Sequence, residues 1–114
     1  FTNQAAAWGL AEPSFSNGSA YGDLDGDGDL DLIVNNNDAA PSIYRNRAVD
    51  REGAHFLRVS LAGDTLNRSA IGTKVYVYQR DPGGAPKTQV LQQMPNRGFQ
   101  SSVDLTLVFG LGSS

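Results

Sequence analysis

The sequence predicts a mostly β protein, and three observations carry that prediction. Two stretches alternate with the two-residue period of a half-buried strand: "HFLRVSL" (55–61) and "TKVYVYQ" (73–79). Thirteen glycines and five prolines supply turns between such runs. No 3.6-residue apolar stripe persists after residue 31, so nothing there asks for a helix.

In chain order, residues 1–11 read as a lead-in with one helical turn. Residues 12–20 are rich in Pro, Ser, Asn and Gly, which is loop chemistry. Leu32, Ile33 and Val34 form a short apolar strand, and "PSIYRN" (41–46) is its expected hairpin partner. "VDREGA" (49–54) is a polar connector and the expected boundary between two units, 1–48 and 49–114. In the second unit, Val59 and Leu61 share one face of the first strand. In the next, Val75 and Val77 face one way, Tyr76 and Tyr78 the other. "DPGGAP" (81–86) turns the chain into "KTQVLQQM" (87–94), and "VDLTLVF" (103–109) closes the pattern. In "NRGFQSS" (96–102), Gly98 is expected to form a turn with Phe99 packing beside it; the alternative is a ligand contact with Arg97 and Phe99 exposed together.

Composition narrows the function classes. The 114 residues carry 12 acidic and nine basic side chains, a net charge of −3. Five of the acidic residues lie between Asp23 and Asp31, and without them seven acids face nine bases. The acidity is therefore local. No basic stripe with interleaved aromatics is present, which argues against nucleic acid. No apolar stretch reaches the length of a membrane span, which argues against membrane insertion. The absence of cysteine removes disulfides, thiolate metal sites and cysteine nucleophiles. The chain starts at Phe1 without a signal-like segment, as a mature portion or an excised piece would.

The acidic run "DLDGDGDLD" is the strongest motif. Calcium takes six to eight hard oxygen ligands, and carboxylates at loop positions 1, 3 and 5 converge on one ion if the chain curls. Those positions are Asp23, Asp25 and Asp27. Gly28 at position 6 permits the sharp turn, Asp29 at position 7 offers its carbonyl oxygen, and Asp31 at position 9 adds a carboxylate. A helix-flanked calcium loop would close with glutamate at position 12, where this chain has Val34 inside an apolar strand. A helical calcium sensor is thereby excluded. A solvated acidic tether is the alternative, but carboxylates about 5 Å apart repel by roughly 3 kcal/mol per pair at an effective dielectric of 20. This run also feeds directly into "LIV", which requires burial.

Other residues point to little chemistry. His55 is the only histidine, which leaves a triad or histidine metal site without material. No G-x-S-x-G surrounds Ser14, Ser16 or Ser19, and "GGAP" is not followed by G-K-[ST]. Asn17 and Asn67 open N-glycosylation triplets, of a kind that also arises by chance.

With its flanks, the run reads "SAYGDLDGDGDLDLIVNNNDAAPSIYRN", preceded by "GLA" at Gly9–Ala11. This resembles an FG-GAP/VCBS-type repeat, found in integrin-α-like propellers and bacterial surface proteins. The resemblance implies an acidic loop that joins two strands and holds calcium. "NRSAIGTKVYVY" (67–78), "RGFQSS" (97–102) and "FGLG" (109–112) resemble the ASPIC/UnbV domain, which commonly follows such repeats. Only one repeat is present, so this chain cannot close a propeller by itself. A lone blade must bury its face on the second module or on another copy. Neither resemblance brings a catalytic activity. The expectation is a non-enzymatic β module at the cell surface, in the periplasm or outside the cell. It would be stabilised by one Ca2+ and used for adhesion or for binding a protein or glycan. The rivals are an accessory domain of an enzyme or biosynthetic complex, with catalytic residues elsewhere, and a carbohydrate module whose calcium bridges sugar hydroxyls.

Overall fold

The computed structural model describes residues 1–50 and 53–112. The expected class holds: among these residues there are strands and turns, no helix and no closed barrel. The nine strands run β1 (Ser16–Gly22), β2 (Asp31–Asn36), β3 (Ser42–Tyr44), β4 (His55–Val59), β5 (Lys74–Arg80), β6 (Pro86–Gln92), β7 (Asn96–Gly98), β8 (Ser101–Ser102) and β9 (Leu107–Gly112). They pair antiparallel into one three-stranded sheet, β1-β2-β3, and three two-stranded sheets, β4-β9, β5-β6 and β7-β8. Positions 51 and 52 of the expected connector lie outside the described residues.

The first sheet pairs Leu32 with Tyr44 and Ile33 with Ile43, as the hairpin reading of "PSIYRN" requires. Its other edge differs from the sequence reading. Residues 16–20, read as loop, belong to β1 and pair with β2 from Ser16 to Gly22. The side chains of "SNGSA" are small and polar, so they give no apolar alternation. The backbone, not side-chain burial, forms this strand. The lead-in makes a single turn in which the Trp8 N–H donates to the Gln4 carbonyl.

In the second half, β5 follows the predicted alternation. Val75 and Val77 are half-buried, while Tyr76 and Tyr78 stand exposed with near-parallel rings, 6.5 Å between centroids. The inner side of this hairpin meets β9, where Gln89 Nε2 donates to the Gly110 carbonyl at 2.7 Å. The turn before β5 is fixed by Asn67, whose side chain bonds both the N–H and the carbonyl of Ile71. β9 begins at Leu107, later than "VDLTLVF" suggests, because the Asp104 carboxylate accepts the Thr106 N–H at 2.6 Å and holds 104–106 in a turn. Phe99 does not pack. It sits beyond β7 with 72% of its surface exposed.

The core is small. Phe109 (1% exposed), Leu107 (6%) and Ala70 are the buried apolar residues, beside buried Gln93 and Asp31. The radius of gyration is 16.2 Å, where a compact chain of this length would have about 13 Å. Little apolar burial therefore holds many strands.

Two outcomes follow. Phe109→Ala should destabilise the chain by about 3–5 kcal/mol, whereas Phe15→Ala, at an exposed ring, should stay within about 0.5 kcal/mol; urea melts separate the two. The Thr106 N–H, bonding Asp104, holds that carboxyl below its ordinary value. Its contribution is thus present above the unfolded carboxyl range and is lost as pH falls through the lowered folded value. Asp104→Asn should lower the melting temperature at pH 7, and the two proteins should converge in acid, once the pH has fallen through the lowered folded value.

Candidate metal centre

Antiparallel pairing of Gly22 with Asp31 brings the ends of the acidic loop side by side. The eight residues between them must reverse tightly, and two glycines with positive φ allow it: Gly26 at 79° and Gly28 at 98°. Gly28 has a second reason to lack a side chain. A Cβ there would collide with the ring of Phe56 on β4.

Within the loop, carboxylates take the backbone N–H groups that the reversal leaves unpaired. Asp23 accepts from Gly26 N (2.8 Å) and Gly28 N (3.2 Å), and Asp27 accepts from Asp29 N (2.9 Å). One oxygen from each of Asp23, Asp25 and Asp27 lies within 4.8 Å of the others. Oxygens bound to a single calcium ion at about 2.3–2.6 Å lie no more than about 5 Å apart, so this donor set fits one hard cation. The same three carboxylates are countered by guanidinium groups. Arg45 reaches Asp25 at 2.8 Å and Asp27 at 3.3 Å, and Arg58 on β4 reaches Asp23 at 3.1 Å. The Asp29 N–H, and after it Arg45, holds the Asp27 carboxyl below its ordinary value.

The remaining two aspartates have other partners. Asp31 is 2% exposed; its two oxygens accept from Leu24 N (3.0 Å) and Asn46 N (2.8 Å). Asp29 accepts from Val49 N. The structure thus gathers Asp23, Asp25 and Asp27 at one point, while the carboxylates of Asp29 and Asp31 fasten the loop to the chain that follows β3.

Sequence reading missed Arg45, Arg58, Asn46, Val49 and Phe56. Arg45 and Asn46 lie in the "YRN" ending of the motif, where a charge at fixed distance from the loop was a usable signal. Arg58 and Phe56 come from a strand more than 20 residues further on, and nothing local marks them. The amides of Asn17 and Asn67 are both committed to internal hydrogen bonds. His55 stands exposed at the start of β4.

No curated protein and no solved structure matches this chain. The family model described as ASPIC and UnbV matches residues 63–114, somewhat less than half of the sequence. The matched stretch runs from the turn preceding β5 through β9, so the second half of this chain is similar to the ASPIC/UnbV domain.

Proposed function

We propose that this chain is a non-enzymatic binding module in which the 23–31 loop holds one calcium ion for structural purposes. The observation that carries this reading is the convergence of Asp23, Asp25 and Asp27 on a glycine-turned loop between two paired strands. Those three side chains would be ligands, with the Asp29 carbonyl and Asp31 completing the set. Bound there, the ion would supply charge neutralisation and cross-linking, and no reaction is assigned to it. Residues 1–48 would form an FG-GAP/VCBS-like repeat and 49–114 the ASPIC/UnbV-like module, in a protein that works in adhesion or in binding a protein or glycan. A location outside the cell, in the periplasm or on the cell surface suits a weak site, because such media are rich in calcium. The sparse core supports a structural role, since ligand binding to the native state alone adds RT ln(1 + [L]/Kd) to stability.

The test is a thermal melt. Calcium at about 100 times Kd should add about 2.7 kcal/mol, or on the order of 10 °C, and chelator should reverse it. Asp25→Asn should weaken calcium binding at least tenfold in isothermal titration. A melt indifferent to both calcium and chelator would sink the reading. The guanidinium of Arg45 competes for two of the same carboxylates, at the strength of an exposed pair. Arg45→Gln should therefore raise calcium affinity by about 2–5-fold, and an unchanged or lower affinity would show that it does not compete.

A further inference from the structure

Between the β1-β2-β3 sheet and the β7–β8 hairpin lies an open cleft of about 370 Å³, on ground separate from the acidic loop. Its wall of Leu32, Val34 and Phe99 is apolar, and Ser19, Ser101 and Arg97 add polar groups. The hairpin is seated on the edge of β1 by the Ser19 N–H, which donates to Ser101 Oγ at 3.1 Å. Positive φ at Gly98 (144°) and Gln100 (49°) turns the hairpin and leaves Phe99 exposed at the rim.

We propose that this cleft binds the carboxylated sugar unit of an acidic glycan, with Arg97 on the carboxylate, Phe99 against a C–H face of the ring, and Ser19 on a hydroxyl. The reasons are chemical. Arg97 spends Nη2 on the Gln92 carbonyl (3.1 Å) and keeps its other donors; among the described residues no acid pairs with it. No acidic side chain lines the cleft; Asp104 lines only a smaller cavity of about 150 Å³, which Arg97 also borders. A guanidinium in that position selects an anion, and its fork matches a carboxylate. A purely anionic ligand would leave Leu32, Val34 and Phe99 without purpose. A sugar ring carries apolar C–H faces that meet the negative face of an aromatic ring, with hydroxyls at its edge. The volume lies at the low end for small-ligand sites and suits roughly one or two sugar units. This reading rests on the binding role proposed above and names its ligand class, but it does not require the calcium ion.

The whole chain, in calcium and about 0.15 M salt, is titrated with trigalacturonate, cellotriose and tetraglutamate, with a melt on every sample. Trigalacturonate should bind at least tenfold more tightly than either of the others. Arg97→Gln should remove that preference, Phe99→Ala should weaken trigalacturonate at least fivefold, and Arg80→Gln, on the distant β5, should change nothing. Equal binding of cellotriose, equal or tighter binding of tetraglutamate, or an undiminished affinity in well-folded Arg97→Gln and Phe99→Ala overturns the proposal. Calcium-raised melting without trigalacturonate binding overturns the cleft and leaves the metal reading standing. Selective binding in a protein whose melting ignores calcium supports the cleft and overturns the metal reading.

Discussion

The buried carboxylate of Asp31 is the interaction on which the rest of the architecture depends. A polar side chain at 2% exposure is tolerated only with its oxygens satisfied, and here each accepts one backbone N–H. One of those donors, Leu24, lies at the start of the acidic loop, and the other, Asn46, follows β3. A single side chain therefore closes the loop and ties down the end of the first sheet. Replacing either oxygen would lose a hydrogen bond that a buried side chain accepts from the backbone. No apolar side chain of the flanking strands β1 and β2 is fully buried, so packing there does not fix this geometry.

Charge then governs what the clasp needs. Three of the five loop aspartates meet the guanidinium groups of Arg45 and Arg58, and five carboxylates against two guanidiniums leave a formal charge of −3. A divalent ion would bring it to −1. Exposed ion pairs contribute at most about 1 kcal/mol each, so the two arginines offset only part of the repulsion. With Phe109 and Leu107 forming most of the apolar core, the hydrophobic contribution leaves little reserve against that repulsion. This is the physical reason that a proposed calcium ion belongs to the stability of the molecule as much as to any site.

What could be read in the sequence was what is local. The tight reversal of the loop was legible because its alternating aspartates and its glycines all fall within a dozen residues. β5 and β6 were legible because Val75, Tyr76, Val77 and Tyr78 alternate without interruption. β1 was not, since "SNGSA" has nothing apolar to alternate and is a strand only through its pairing with β2. Phe99 was misread because an aromatic residue beside glycine suggests packing, while the backbone at Gly98 and Gln100 turns it outward. The partners of the loop from β4 were invisible for a different reason. Arg58 and Phe56 reach it through tertiary structure, at sequence separations where residue type carries no signal.

Those β4 contacts change how the loop should be understood. Arg58 meets Asp23, Phe56 covers Gly28, and the N–H of Val49 meets Asp29, so three separate contacts join the acidic loop to the chain from Val49 onward, in addition to those of Arg45 and Asn46. Gly28 is consequently constrained twice, by its φ of 98° and by the ring above it. A larger residue there would strain the turn and also lift the loop away from β4. The turn of the loop by itself needs only the first of these constraints. The second exists because β4 lies against the loop, which makes the loop a joint between the first sheet and β4 as well as a collection of oxygen donors. Any cation held by Asp23, Asp25 and Asp27 would therefore alter the charge against which Arg58 is set, and its effect would reach the second half of the chain through β4.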